Sequence, residues 1–124
     1  MEPQQMLFTY LLTALRGKGY SVYDGALPLE DTPYPFIYLG DSQTVDENRK
    51  QVVQGMVYQT IHIWHNKESQ RGTVSTIVLD VKMVCRELER QSGWIFSECS
   101  SQILPDNTTN KPLMHAVIEA GFKF

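Results

Sequence analysis

The residues of this sequence best suited to binding a metal ion are its histidines, and their spacing does not bring them together. His62 and His65 stand three residues apart in a stretch rich in β-branched and aromatic residues, which predicts a β-strand. Residues three apart on a strand point to opposite faces, so these two imidazoles cannot share one ion. His115 falls on the outward face of the last predicted strand. We therefore expect structural or surface histidines and no metal site.

Other arrangements that could do chemistry are equally sparse. No G-x-S-x-G nucleophile motif is present, and Gly17-Lys18-Gly19 is too short for a phosphate-binding loop and follows a helix pattern instead of preceding one. The carboxylate pairs Glu30-Asp31 and Asp46-Glu47 stand among turn-forming residues, which favours solvated loop charge over acid–base catalysis. We therefore predict no catalytic residue, no bound cofactor and no enzymatic activity.

Two amphipathic helices and five strands are predicted around these residues. The first helix, at about 4–16, carries apolar residues at three- and four-residue steps and ends at Gly17. The second follows a polar stretch and presents an apolar face from Val74 to Leu88. Strand-like segments cover about 20–23, 36–40, 56–65, 94–104 and 113–124, so the order is α-β-β-β-α-β-β.

The last strand indicates how these elements pack. Met114, Ala116 and Ile118 alternate with polar residues, which is typical of a strand with one buried face. We therefore predict an α+β fold in which two helices cover one face of a mostly antiparallel sheet. The length of 124 residues and an apolar fraction of 42% predict a single domain spanning 1–124.

Composition limits the partners. Eleven basic against 14 acidic residues give a net charge of −3, which is unlike a nucleic-acid-binding protein. No apolar run approaches the roughly 18 residues of a membrane span, and residues 1–5 do not resemble a secretory signal. Cys85 and Cys99 are 14 residues apart in different predicted elements, which favours reduced thiols in or beside the core over a disulfide.

A polar stretch at about 41–54 joins two strong strands and is long for a connection in a small domain. It is either a flexible arm that becomes ordered on a partner or a β-hairpin whose strands run further than their apolar pattern. On the second predicted helix, Lys82, Arg86 and Arg90 form a basic stripe that is either solvated or contacts acidic groups of a neighbouring subunit. The candidate interface residues are Gln43, Asp46, Glu47, Arg49, Lys50, Lys82, Arg86 and Arg90.

Three segments of the sequence, together with the order of the predicted elements, resemble those of a known protein family. The segments are the turn Val22-Tyr23-Asp24-Gly25, the strand Tyr34-Pro35-Phe36-Ile37-Tyr38-Leu39-Gly40 and the strand Ile61-His62-Ile63-Trp64-His65. Together with the N-terminal helix, the second helix and two closing strands, they resemble the tail terminator proteins of long-tailed, non-contractile bacteriophages. These proteins are also described as tail completion or head–tail joining proteins. The resemblance extends over nearly the whole chain and contains no catalytic motif.

The resemblance implies an assembly role in place of chemistry. It implies a subunit of a hexameric ring at the head-proximal end of the tail tube, which stops tube polymerisation and provides a surface for the head connector. The implied partners are further copies of the chain, the tail-tube protein and the head completion or connector protein. DNA would pass through the lumen without specific binding. The implied location is the virion, and the host cytoplasm during assembly, without contact with a membrane.

Three other functions remain open from the residues. One is another part of the same machine, such as a head–tail connector or a minor tail protein. A second is a small α+β enzyme, for which the densest cluster of reactive side chains is His62, His65, Lys67 and Glu68. A third is a ligand-binding module that uses the aromatic residues of the strands, which are Tyr34, Phe36, Tyr38, Tyr58 and Trp64.

Overall fold

The computed structural model describes residues 3–25, 32–49, 52–67, 69–92, 94–106 and 113–124. Its elements follow the predicted order α-β-β-β-α-β-β, and the α+β class is confirmed. The elements are α1 (Pro3–Gly17), β1 (Val22–Asp24), β2 (Phe36–Arg49), β3 (Val52–His65), α2 (Arg71–Ser92), β4 (Ile95–Asp106) and β5 (Leu113–Lys123).

The strands form one sheet of five in the order β1-β2-β3-β5-β4. β1 runs parallel to β2, with Val22 opposite Ile37, and the other three pairings are antiparallel. The prediction of a mostly antiparallel sheet is therefore confirmed. The order leaves β4 at one edge of the sheet. At the other edge, β1 is so short that it covers only the first residues of β2.

Both helices pack on one face of the sheet and form the core with it. The predicted stripe on α2 is confirmed, because its seven residues are all buried, namely Val74, Ile77, Val78, Val81, Val84, Cys85 and Leu88. On α1 the buried residues are Leu7, Leu11 and Leu15, each 1% exposed or less. Burying a side chain of this size contributes roughly 1.5–3 kcal/mol, so these stripes hold the helices on the sheet. The sheet supplies Ile37, Leu39, Val57, Ile61, Ile63, Met114, Ala116, Ile118, Ala120 and Phe122.

Side-chain hydrogen bonds join α1 and the turn after it to the rest of the core. The hydroxyl of Tyr10 donates to the carbonyl of Val84 at 3.0 Å, and the Tyr20 hydroxyl donates to the Asp80 carboxylate. Burial and that hydrogen bond raise the pKa of Tyr20 to about 12. After α1 the chain turns at Gly19, whose φ of 93° suits glycine. The Arg16 guanidinium then donates to the carbonyl of Val22 at 2.9 Å, which fixes the start of β1.

Strands extend through two segments that lie outside the predicted strands, and at 41–54 the structure has the hairpin alternative. The polar stretch at 41–54 is the outer part of a β-hairpin, because β2 continues to Arg49 and β3 begins at Val52. Apolar residues do not alternate in this stretch, so no pattern predicts how far the two strands run. β4 likewise passes the predicted end at Leu104 and reaches Asp106, and the edge position of β4 tolerates Pro105. Residues 107–112, between β4 and β5, lie outside the described residues.

Candidate assembly surfaces

The outer part of the β2–β3 hairpin, residues 42–59, is the first candidate surface, and we call it the arm. Its two strands pair from Ser42 opposite Gln59 to Arg49 opposite Val52. β5 pairs with β3 only as far as Met56, after which the backbone of Phe124 exchanges two hydrogen bonds with Gly55. Beyond Gly55, the described residues beside each arm strand are those of the other arm strand. The arm is therefore a two-stranded ribbon that extends past the sheet.

The predicted interface residues of this segment lie along β2. Gln43 and Asp46 are exposed. Glu47 and Arg49 continue the strand, where their backbones pair with Gln54 and Val52, while Lys50 lies outside the described residues. Their role as an interface stays a prediction.

A β-bulge at the root of the arm reverses the faces of β2. Leu39 is opposite Ile61 and Ser42 is opposite Gln59, so two residues of β2, at positions 40 and 41, stand opposite one residue of β3. Before the bulge the odd-numbered residues of β2 face the helices, as buried Leu39 does. After it the even-numbered residues do, and the Ser42 hydroxyl accepts a hydrogen bond from the Gln4 amide of α1 at 3.2 Å.

The buried side chain of Gln59 stabilises this bulge. Gln59 is 2% exposed, and its amide nitrogen donates to the carbonyl of Gly40 at 3.1 Å and to that of Thr60 at 2.9 Å. A third contact, at 3.4 Å, reaches the carbonyl of Asp41. These carbonyls lie where the strand ladder is interrupted, and the amide supplies the donor that the ladder does not. The sequence offered no signal for this role.

A shallow hollow opens beside the bulge. It has a volume of about 370 Å³ and is lined mainly by polar side chains. Asp41 and Glu119 place two carboxyl groups in its wall, with Gln43, Tyr58 and Thr60 between them. The root of the arm is therefore acidic on this side.

The basic stripe of α2 is the second candidate surface, and it runs alongside β4. Lys82 is half-buried, and its ammonium group donates to the Ser101 hydroxyl of β4 at 2.9 Å. Arg86 and Arg90 are exposed and, with Met83 and Glu87, line a shallow hollow of about 240 Å³. Lys82 therefore contributes to packing between helix and sheet, while the two guanidinium groups remain at the surface.

The structure does not bring the arm and the basic stripe together within one chain. β3 and β5 lie between β2 and β4, and adjacent strands are about 4.8 Å apart. The arm belongs to one side of the sheet and the stripe to the other. An attraction between the acidic residues of the arm and these cations therefore cannot act within one chain.

A third surface is the face of the sheet opposite the helices, which we call the open face. His62 of β3 and His115 of β5 meet there, with 2.8 Å between Nδ1 of His62 and Nε2 of His115. The His115 ring also stacks on Trp64, with ring centroids 3.7 Å apart and planes 7° from parallel. Tyr38 flanks His62 at 6.1 Å between ring centroids. We call Tyr38, His62, Trp64 and His115 the aromatic cluster.

The predictions for the three histidines have different outcomes. The prediction that His62 and His65 face opposite sides is confirmed, because His65 is 3% exposed on the helix side and bonds to the Gln70 amide oxygen at 2.8 Å. His115 is on the outward face as predicted, but its pairing with His62 was missed. The signal that could have found it is strand parity, which places His62, Trp64 and His115 on the same face. The register, in which Trp64 stands opposite His115, is needed to join them.

The electrostatics of the cluster favour neutral imidazole at His62. Burial lowers its pKa, because the charged ring loses solvation, and the carboxylate of Asp41 opposes that shift. Among the described residues, no group of three or more His, Cys, Asp or Glu side chains is arranged to hold a metal ion. Within the same part of the chain, no helix combines the length and apolar character needed to cross a membrane.

The two cysteines differ in solvent exposure. Both are free thiols, and Cys85 is buried in the core while Cys99 on β4 is exposed. Burial raises the pKa of Cys85 to about 12, so this thiol is unreactive at neutral pH. Burial also raises the pKa of Cys99, and the positive charges of Lys82 and Arg86 oppose that shift. Lys82 contacts β4 directly through the Ser101 hydroxyl.

Comparison with solved structures finds chains of similar fold. A chain of a solved structure described as the virion of a native gene transfer agent (GTA) particle is similar to this chain over 92% of each, with 12% sequence identity and a TM-score of 0.47. No protein-family model matches the sequence. No curated protein matches it either.

Proposed function

We propose that this chain is a structural virion protein that acts as a phage tail terminator. In this role it caps the head-proximal end of the tail tube, stops tube polymerisation and joins the tail to the head connector. It does so as a hexameric ring and without catalysis, cofactor or metal. The proposal extends the sequence resemblance, whose three segments correspond to β1 with its turn, the first half of β2 and the second half of β3.

The observation that carries the proposal is the arm. A rigid core of two helices on a five-stranded sheet supports a ribbon that extends beyond Gly55, where its strands pair with each other. Side chains exposed on such a ribbon, including Gln43 and Asp46, can reach a neighbouring molecule without disturbing the core. A subunit that must contact ring neighbours, tube and connector needs projecting elements of this kind.

Disruption of the gene in its phage or prophage tests the proposal, with particles examined by electron microscopy. Overlong tail tubes beside unattached, DNA-filled heads are expected. Expression of the wild-type chain in trans should restore tails of normal length, which controls for effects on neighbouring genes. Tails of normal length in the disrupted strain would contradict the proposal, and DNA leaking from heads beside them would indicate a connector protein.

A further inference from the structure

The outer edge of β4 is long and poorly protected against pairing with another strand. β4 spans Ile95–Asp106 and pairs with β5 on one side, with a β-bulge between Phe96 and Glu98 and a regular ladder from Glu98 to Asp106. On its other side, the contact that the described residues provide is the Glu89 carboxylate, which accepts a hydrogen bond from the amide of Phe96 at 2.7 Å. From Ser97 to Leu104 the sequence has one charged residue, Glu98, and no lysine or proline. Natural proteins guard free edges with such residues, so an edge without them is suited to accept a strand.

The outer edge of β2 is also free but differs in character. β1 ends with Asp24 opposite Leu39, and no described residue pairs with β2 on that side from Gly40 to Arg49. This edge carries three acidic residues against one basic residue, which makes pairing with an identical edge unfavourable. The charged residues are Asp41, Asp46, Glu47 and Arg49.

Charge matches these two edges to each other. Lys82 and Arg86 of α2 lie beside β4 on the helix side of the sheet, close enough to Cys99 to oppose the rise of its pKa. Beyond the bulge, Asp46 lies on the helix side of β2, since it follows the alternation of Thr44, which stands opposite buried Val57. Two strands joined in one sheet share their faces. The acidic side chain would therefore meet the cations across the junction.

We propose that two copies of this chain join by adding the outer edge of β2 at Gly40–Asp46 of one copy to the outer edge of β4 of the next. In this arrangement the sheet of one subunit continues into that of its neighbour through main-chain hydrogen bonds. The contact between Asp46 and Arg86 favours this pair of edges over other pairings. Because the two edges are different, the contact is head-to-tail and can repeat around a closed ring. This inference rests on the proposed function for the ring itself.

Disulfide trapping of the purified chain tests the strand pairing. Cys99 lies on the helix side of β4, opposite buried Ala120, and buried Cys85 does not compete with it. Ser42→Cys, Thr44→Cys and Asp46→Cys place thiols on the helix side of the arm, and Gln43→Cys and Val45→Cys place them on the open face as matched controls. Each variant is oxidised at high protein concentration, and linked peptides are identified by mass spectrometry.

The expected result depends on the face. Helix-side variants should form chains linked from Cys99 to the new cysteine, with a ladder of dimers and larger species, because a disulfide needs Cα atoms about 4.4–6.8 Å apart. The open-face variants should form few such links. Equal linking from both faces, no linking, or a predominance of Cys99–Cys99 dimers would overturn the proposal. Circular dichroism spectra check that each variant is folded.

A charge exchange tests the contact between Asp46 and Arg86. The mass of the assembly is measured by light scattering and native mass spectrometry. Arg86→Glu should weaken self-association at least tenfold, and the double variant Arg86→Glu/Asp46→Arg should restore it. Lys18→Glu makes the same charge change at an exposed position at the end of α1, and it should leave self-association unchanged. A wild-type chain that remains monomeric at millimolar concentration, or a double variant that does not recover, would contradict the proposal. These readouts are independent of tail length, so they fail separately from the proposed function.

Discussion

Nδ1 of His62 and Nε2 of His115 lie 2.8 Å apart on the open face, so two imidazoles from neighbouring strands share a hydrogen bond. One ring must donate and the other accept, which requires that at least one of them is neutral. Burial lowers the pKa of His62. A neutral His62 ring meets this requirement, whichever of the two rings donates.

The lowered pKa of His62 predicts that stability depends on pH. A histidine in the unfolded chain titrates at about 6.5, and the folded value of His62 lies below it. In the window between the two values the unfolded chain binds more protons, so the free energy of unfolding should fall as pH falls and be fully regained above about 6.5. Urea unfolding across this range is the measurement. His62→Gln should flatten the dependence, and an unchanged slope in this variant would contradict the attribution to His62.

Removal of the His115 ring should destabilise the fold modestly. The ring stacks on Trp64 and bonds to His62, and a stacked pair contributes about 0.5–1.5 kcal/mol beyond its buried area. His115→Ala should therefore lower the free energy of unfolding by about 1–2 kcal/mol and expose the Trp64 indole to solvent. Glu119→Ala, at an exposed position on the same strand, should stay within about 0.5 kcal/mol of wild type. Equal effects of the two substitutions would argue against a structural role for the stacked pair.

Loss of the Gln59 amide should weaken the root of the arm. Gln59→Ala removes the donor for the Gly40 and Thr60 carbonyls and leaves a cavity, at a cost of about 2–3 kcal/mol. Gln43→Ala is the matched control, because it makes the same substitution at an exposed position of β2. Equilibrium unfolding compares the two, and hydrogen exchange should show faster opening at residues 40–46 in Gln59→Ala alone. Retained protection there would show that the bulge does not depend on this side chain.

Two glycines should respond in opposite ways to alanine. A Cβ atom at Gly55 would lie 2.5 Å from the Val45 carbonyl oxygen and 2.9 Å from the Phe124 ring, so the arm must distort to accept it. Gly55→Ala should cost about 1–3 kcal/mol. A Cβ at Gly72, near the start of α2, meets nothing within 4 Å, and Gly72→Ala should be neutral or stabilising by up to about 1 kcal/mol. Thermal unfolding distinguishes them, and a neutral Gly55→Ala would show that the arm root adapts freely.

Shortening the arm separates folding from assembly. Replacing residues 47–54 with Asn-Gly leaves Asp46 and Gly55 as the closing pair and keeps the contact of Gly55 with Phe124. The shortened chain should unfold within about 1 kcal/mol of wild type, because every backbone pair from Asp46 opposite Gly55 inward is retained. In the complementation assay it should fail to restore normal tails. Full restoration by this variant would show that the outer arm has no part in tail completion.

The packing of the helices and strands could be predicted from the sequence because it depends on local periodicity. The stripe from Val74 to Leu88 repeats as a helix does, and the alternation from Met114 to Phe122 repeats as a strand does. Both segments are buried on the predicted faces. Such patterns can be recognised without knowing which elements pack together, because each pattern depends only on the face that its own element buries.

The surfaces could be predicted less completely. In the polar stretch at 41–54 the apolar residues do not alternate, so no pattern predicts its strands. The contact of His62 with His115 depends on the register between β3 and β5, whose residues are more than 50 positions apart in the sequence. The role of Gln59 depends on a β-bulge that no residue type in the sequence indicates. The assignment of Gln43, Asp46 and the basic stripe to an interface stays a prediction.

The bulge at the root of the arm constrains how this sequence can vary. Because two residues of β2 stand opposite one residue of β3, loss of one of them would exchange the two faces of every residue from Ser42 onward. Paired insertions or deletions further out, one residue in each strand near Asn48 and Val53, would change only the reach of the arm. Among homologues, the length of the arm should therefore vary in steps of two while the spacing from Leu39 to Ser42 stays constant.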